Sequence, residues 1–329
     1  MGGMTMTNAK TLALAGAFMA IAGSAAAETT VRMLNTWDDR YPGSTVICER
    51  YAQLLTEASG GEITVQISGP ETIPPLEQLE PTQAGLFQIL CTYPGFHTGT
   101  STLLTGLESI RPDPEAFRAS GAMDEIRDSY GKLGLHVVSV PLAHGYWIFM
   151  NKGLSEQGDL TGRQIRALPP QHPYITAIGG TPVVLPPAEM FSALERGVID
   201  GALFPAAGAS GYGFAEVADS YLTTNISSPH VILANQAFWD GLPEDLRTVF
   251  DAQAEVLETE IPGVYDRLNA EEAEKLAAAG MQKLELDAAT AARLEEGVAS
   301  GAWTFAQSRD PEAAARLEER VTEAGLLTN

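Results

Sequence analysis

The stretch GRQIRALPP, Gly162–Pro170, decides how the chain is read. In an extended segment side chains alternate between faces, so Gln164, Arg166 and Leu168 share one face while Ile165 and Ala167 share the other. Pro169-Pro170 cannot donate to a ladder and ends the strand there. Arg166 therefore falls near the carboxyl end of a short strand, the place where open α/β sheets present residues to a ligand crevice. An isolated arginine is by default paired with a surface carboxylate. The surrounding sequence has to displace that reading.

Outward from this stretch, "TPVVL" (181–185) and "GALF" (201–204) read as strands, with the helical "AEMFSALERG" (188–197) between them. Upstream, "TVRML" (30–34) is a strand, and Ile47, Tyr51, Leu54, Leu55 and Ala58 then fall on one helical face that Gly60-Gly61 ends. "EITVQI" (62–67), a short helix over Leu79–Ala84 and "LFQILC" (86–91) complete a β-α-β-α-β start, and "LHVVSV" (135–140) and "YWIFMN" (146–151) continue it. Such mixed order predicts α/β lobes with helix-covered sheets. From Pro243 onward Leu246, Val249, Phe250, Leu257, Ile261, Val264 and Leu268 keep helical spacing, and Pro262-Gly263 predicts a kink or a split. Ala288–Leu327 reads as acidic amphipathic helix. No internal repeat or low-complexity linker interrupts the pattern.

The chain has 329 residues, with 20 Lys and Arg against 42 Asp and Glu, a formal net charge of −22. Nucleic acid and anionic membrane surfaces are poor partners for that charge. Lys10, the apolar run Thr11–Ala22 and the small residues Ala25-Ala26-Ala27 form the pattern of a secretory leader too short to span a bilayer. Cleavage after Ala27 leaves about 300 residues, enough for two lobes. Cys48 and Cys91 are too few for a disulfide framework or a thiolate metal site, and the sequence leaves open whether they bridge.

A catalytic reading finds little. There is no Gly-x-Ser-x-Gly elbow, no phosphate-binding loop and no histidine pair at metal spacing; the five histidines, at 97, 136, 144, 172 and 230, are scattered. "GYGFAE" from Gly211 lacks the third glycine of a dinucleotide fingerprint. A periplasmic hydrolase stays a remote alternative, as does the ligand-capture component of a signalling receptor.

Taken together, "DLTGRQIRALPPQHPYITAIGGTPVVLPPAEMFSALERGVIDGA" (159–202) and "AFWDGLPEDLRTVFDAQ" (237–253) resemble the solute-binding proteins of tripartite ATP-independent periplasmic (TRAP) transporters, the DctP type. The resemblance implies an α/β, two-lobed periplasmic binding protein of type II character, with a long, kinked helix bridging both lobes. It implies a signal peptide over 1–27, a first lobe of 28–143 plus 232–271, and a second of 144–231 plus 272–329. It further implies a monomer that is not an enzyme, captures an organic acid by lobe closure on segments near 143 and 232, and delivers it to small and large membrane subunits.

By the same resemblance Arg166 corresponds to the arginine that clamps the ligand carboxylate, a role its planar fork of donors suits. Where many relatives carry a second arginine in a "GFR"-like strand, this chain has Gly145-Tyr146-Trp147. Where they carry Asn before Pro in "DGQENP", it has Phe204 before Pro205, and Leu203 stands where metal-binding relatives offer an acid. No metal and no cofactor is therefore expected. The ligand-binding candidates are Arg166, Trp147, Phe204, Tyr146 and Tyr212, with Tyr93, His97 and His172 as polar contacts and Tyr174 as a further aromatic. His136 reads as structural, and Asp38, Asp39 and Arg40 as a solvated charged loop at the cleft mouth. The expected ligand is a monocarboxylate with an apolar or aromatic body; the alternative is a C4-dicarboxylate. The exported protein is predicted to begin at Glu28, so its intact mass should lack residues 1–27, and a chain that keeps them would overturn the leader.

Overall fold

The structure is a computed structural model that describes residues 1–3 and 29–328; the expected leader and its cleavage site lie outside the described residues. Thirteen strands follow in chain order. They are β1 (Thr29–Asn35), β2 (Ile63–Ser68), β3 (Ile89–Thr92), β4 (Leu135–Ser139), β5 (Leu142–His144), β6 (Tyr146–Met150) and β7 (Gln164–Arg166), then β8 (Thr181–Val183), β9 (Gly201–Pro205), β10 (Ser220–Thr223), β11 (Ser227–Pro229), β12 (Val231–Asn235) and β13 (Gln282–Leu284).

The first lobe is built on the sheet β2-β1-β3-β12-β4, in which β1 runs parallel to β2 and β3 while β12 lies antiparallel between β3 and β4. Every residue of β3 and of β12 is buried, because helices cover both faces at the middle of this sheet. The second lobe holds the sheet β13-β10-β6-β9-β7-β8, with β6 antiparallel to both β9 and β10 and with β7 parallel to β8 and β9. Gly201 opens β9 where a Cβ would stand 2.8 Å from the Phe149 carbonyl oxygen, so a side chain there would push β9 off β6.

The chain crosses between the sheets at β5 and β11, and these two crossings pair with each other, Leu142 opposite Pro229 and His144 opposite Ser227. The second crossing therefore lies before the position near 232 expected from sequence, since Ile232 already belongs to the first sheet. Gly145 follows β5 with φ +92, and a Cβ on it would meet the Asn269 amide at 2.3 Å. That amide donates to the His144 carbonyl oxygen at 3.1 Å, which fixes the crossing against the long helix.

The long helix runs unbroken over Glu244–Ala278, 35 residues, with Pro262 inside it. The split is not realised: one proline removes a single N–H bond, whereas Leu257, Ile261 and Tyr265 around it are buried in the main apolar cluster. Glu258 on this helix accepts from Ser139 Oγ (2.8 Å) and the Val140 amide (2.9 Å) of the first lobe and pairs with Arg118 (2.8 Å). Glu272 accepts from the Ser210 amide (2.6 Å) of the second lobe.

The C-terminal segment, read as mostly acidic amphipathic helix over Ala288–Leu327, is two helices, Ala288–Ala306 and Pro311–Glu323, parted where Asp310 caps the amide of Ala313 (3.1 Å) and Pro311 takes the first helical position. The segment does not sit with the second lobe alone. Leu294, Val298 and Ala302 pack in the second-lobe cluster, but Trp303, Ala306, Ala314, Leu317 and Val321 pack in the first-lobe cluster. Helix Ala288–Ala306 is thus a second bridge between the lobes.

Cys48, in a π-helical turn ahead of helix Arg50–Ala58, is bonded to Cys91 in β3, with Cα atoms 5.8 Å apart. The bridge ties that helix to the sheet of its own lobe and touches no cavity wall. Replacing both cysteines by serine should lower the unfolding free energy by about 4 kcal/mol, from loop entropy alone, and leave ligand affinity unchanged. Non-reducing peptide mapping with denaturant titration checks this; two free thiols in protein taken from an oxidising compartment would contradict it.

Candidate functional site

Strand β7 is only three residues long, and it carries its charged residue inward: Gln164 is exposed, Ile165 and Arg166 are buried. Arg166 keeps 2% of its surface exposed. Its Nε donates to the Leu185 carbonyl oxygen (3.0 Å) and its Nη1 to the Leu203 carbonyl oxygen (3.1 Å). Among the described residues no carboxylate lies within ion-pair distance of it. The surface-pair reading is therefore excluded for Arg166. Burial lowers its pKa from the ordinary arginine range while the phenols of Tyr146, Tyr93 and Tyr212 act the other way, and a guanidinium stays protonated through such a shift.

Arg166 lines a cavity of ≈ 20 Å³ between the lobes. Tyr146, Leu168, Pro187, Phe204 and Pro205 join it from the second lobe, and Trp37, Tyr41, Tyr93, Phe96, Ser228 and His230 close the wall from the first lobe and the crossing. A space of that size admits about one water, so the lobes must part for an organic ligand to enter.

The cavity wall is ordered by hydrogen bonds whose direction can be assigned. His230 Nδ1 lies 2.9 Å from the Ser228 carbonyl oxygen, an acceptor only, so Nδ1 carries the proton. Burial pushes the His230 pKa down to about 4, which leaves Nε2 as an acceptor for Tyr41 OH at 3.0 Å. Tyr41 OH in turn accepts from Tyr265 OH at 2.8 Å. The chain Tyr265, Tyr41, His230 thus runs from the long helix to the crossing with each hydroxyl hydrogen committed.

A second network lies behind Tyr93, whose hydroxyl donates to Glu108 Oε1 and accepts from Gln171 Nε2 of the second lobe at 3.2 Å. Glu108 is fully buried, its Oε2 has no hydrogen bond, and burial pushes its pKa up to about 8 against the Tyr93 hydroxyl that favours the carboxylate. Glu108 therefore holds its proton at neutral pH.

Of the ligand-binding candidates read from the sequence, Arg166, Tyr146, Phe204 and Tyr93 meet in the cavity wall, and five do not. Trp147 faces Phe204 across the β6–β9 ladder but stacks on Tyr221 at 5.0 Å, a diagonal cross-strand neighbour that buries it beneath the wall. Tyr212 supports Phe204 edge-on at 4.9 Å and carries the Arg40 guanidinium 4.5 Å above its ring. His97 bonds Tyr130 OH at 2.8 Å inside the first lobe, where burial holds its pKa near 4. His172 opens the helix His172–Ala177, away from the lining. Tyr174 is fully buried behind the wall, and His136 stacks on Trp239 at 3.9 Å.

Trp37, Tyr41, Phe96, Ser228 and His230 were not singled out. Trp37 and Tyr41 flank the loop Asp38-Asp39-Arg40, whose ion pair (Asp38–Arg40, 2.7 Å) is solvated as expected while the aromatics on either side turn inward. An aromatic on each side of a charged loop was the signal available. Ser228 and His230 sit in a three-residue crossing strand and its exit, too short for any periodicity. Among the described residues no group of three or more His, Cys, Asp or Glu is disposed to hold a metal ion.

Because the folded state raises the Glu108 pKa from 4.5 to about 8, between those values it binds a proton that the unfolded chain releases, and this group's contribution to stability falls as pH rises through that window. Glu108→Gln removes the term. The variant's stability relative to the wild type should therefore climb from pH 4.5 to 8 and then level off; denaturant titrations at four pH values that give a constant difference would contradict the assignment.

The comparisons with known proteins agree with this geometry. Residues 35–307 match the DctP family, described as bacterial extracellular solute-binding protein, family 7. A monocarboxylate 2-oxoacid-binding periplasmic protein of Nostoc is 24% identical over 263 residues, covering 76% of this chain and 71% of that one. The ectoine-binding periplasmic protein TeaA of Halomonas elongata is 28% identical over 53% of this chain and 54% of its own length. Among solved structures, a Bordetella pertussis extracytoplasmic solute receptor binding pyroglutamic acid superposes with TM-score 0.78 at 17% identity, covering 89% of this chain and 99% of that one. A Desulfovibrio salexigens TRAP periplasmic solute-binding protein with bound orotic acid gives TM-score 0.78 at 19% identity, covering 90% and 99%. The relatives are solute-binding proteins of the periplasm, and no helix among the described residues is long and apolar enough to cross a membrane. The chain belongs to the DctP family, the bacterial extracellular solute-binding proteins of family 7.

Proposed function

We propose that this protein is exported to the periplasm, closes its two lobes on a small monocarboxylate with an apolar or aromatic body, and passes it as a monomer to the small and large membrane subunits of its transporter. The observation that carries the reading is Arg166, a nearly fully buried guanidinium in the wall between the lobes with no carboxylate of its own chain to pair with. A buried charge of this kind is costly until an anion reaches it, and a carboxylate matches its donor fork. The relatives' names support an acid: one binds 2-oxoacids, and solved neighbours hold pyroglutamic acid and orotic acid.

The same wall argues for one charge. Arg166 is the only arginine or lysine among the residues lining the cavity, and His230 is held neutral. A second carboxylate would find aromatic rings and no cation, and would lose its hydration without a partner. The curated C4-dicarboxylate-binding relative from Rhodobacter capsulatus matches over only 22% of this chain.

Ser228 and His230 do not form a nucleophile and base. His230 bonds the Ser228 main-chain carbonyl, and Ser228 Oγ has no hydrogen-bond partner. That favours capture over turnover.

Calorimetric titration with matched mono- and dicarboxylates tests the reading. Arg166→Ala should keep the fold and lose about 100-fold or more in affinity, and Arg166→Lys should also bind poorly because a point charge cannot reproduce the fork. Unchanged affinity in Arg166→Ala would overturn the clamp, and tighter binding of the dicarboxylate would overturn the apolar pocket.

A further inference from the structure

The polar groups of the cavity wall divide into those already satisfied and those left over. His230 donates to a main-chain carbonyl and accepts from Tyr41, and Tyr41 accepts from Tyr265. Tyr93 donates to Glu108 and accepts from Gln171. None of these hydroxyl or ring hydrogens is free for a ligand.

Ser228 differs. Its side chain is 1% exposed, its Oγ has no hydrogen bond, and it lines the same cavity as Arg166. The Tyr146 phenol, also in that wall, lies beside Ser228 and Gln171. Buried hydroxyls are paired in nearly all folded proteins, and one left unpaired costs free energy. The Ser228 hydroxyl thus stands open to a partner in the cavity.

We propose that Ser228, seconded by Tyr146, reads a hydrogen-bonding oxygen on the ligand, so that the preferred acid carries a hydroxyl or keto oxygen close to its carboxylate. This rests on the carboxylate reading of Arg166 and adds a second recognition element to it. Arg166 and Ser228 line the same small cavity, which places the hydrogen-bonding oxygen near the carboxylate. A hydroxyl of Ser or Tyr both donates and accepts, so the pair accommodates either oxygen function. A site that presents an otherwise unpaired polar group discriminates strongly against an analogue lacking the matching group. The placement also has a mechanical sense, because Ser228 lies at the centre of the crossing strand β11, opposite Ala143 of β5. A ligand that bonds it joins the second lobe's arginine to the segment about which the lobes turn.

The test uses the mature chain and two matched pairs, propionate with lactate and phenylacetate with mandelate, titrated calorimetrically into wild type, Ser228→Ala and Tyr146→Phe. Wild type should prefer the hydroxy acid by about tenfold or more in the pair it binds. Ser228→Ala should erase most of that preference while leaving affinity for the unsubstituted acid within about twofold, since the alanine removes an unpaired group and no existing bond. Tyr146→Phe should reduce the preference in part. Thermal melts confirm that the variants fold. Equal affinity for both members of a pair in wild type, the result if a water alone satisfies Ser228, would overturn the inference and leave the carboxylate clamp standing, as would a preference that survives in Ser228→Ala. Failure of wild type to bind any of the four acids would overturn the carboxylate reading, and this inference with it.

Discussion

The long helix Glu244–Ala278 is the part both lobes answer to, and it holds them by charge as well as by apolar surface. Glu258 accepts from Ser139 and the Val140 amide where β4 leaves the first sheet, and further along the same helix Glu272 accepts from the Ser210 amide and hydroxyl in the second lobe. Carboxylates this buried persist only when their lone pairs are filled. Each therefore fixes the height of one lobe along a single rigid axis. Between them Tyr265 reaches the cavity through Tyr41, so the binding wall is registered on the same axis. The crossings β5 and β11 add a short antiparallel ribbon beside it.

Arg166 is intelligible only against that rigidity. A flexible surface would let a lone guanidinium swing to water or to one of the many surface carboxylates of a chain with net charge −22. Here its Nε and Nη1 are tied to the Leu185 and Leu203 carbonyl oxygens, which orient the fork without neutralising it. The electrostatic demand is thus directed into the cavity.

What could be read in the sequence was what repeats along it. Strand β7 and its proline stop follow from the local sequence, and the buried strands of the first sheet follow from continuous apolar runs. Alternation, by contrast, pairs Arg166 with the exposed Gln164, and only the family resemblance pointed it inward. The missing parts depended on partners far away in the chain. Trp147 was read as a ligand contact because it stands where many relatives carry a second arginine, but the diagonal contact with Tyr221 decides its packing, and β10 is too short to announce that ring. Pro262 was weighed as a helix breaker, whereas burial of Ile261 and Tyr265 on both sides outweighs one lost hydrogen bond. The break between the two C-terminal helices is marked in the sequence by Asp310-Pro311, across which the acidic amphipathic pattern continues. His230 gains its role from Tyr41, 189 positions earlier, a pairing no local pattern can express.

The two walls of the cavity are assembled independently, and this determines where closure gets its free energy. Arg166 takes both its protein bonds from the second lobe, whereas Tyr41 and His230 bond each other, the crossing and the long helix. Few polar contacts bridge the walls at the cavity: Gln171 to Tyr93 at 3.2 Å is one, and the rings of Tyr41 with Phe204 and Tyr93 with Tyr146 meet at 6.1 and 6.3 Å. Opening the lobes therefore breaks little that either wall needs to keep its shape. In the proposed reading, a ligand that bonds Arg166 on one side and packs against Trp37 and Phe96 on the other makes contacts available only when the walls meet, so its binding free energy selects the closed state. On that reading the arginine's lack of a partner within the chain and the preformed state of the facing wall are two halves of one arrangement, which an anion would complete.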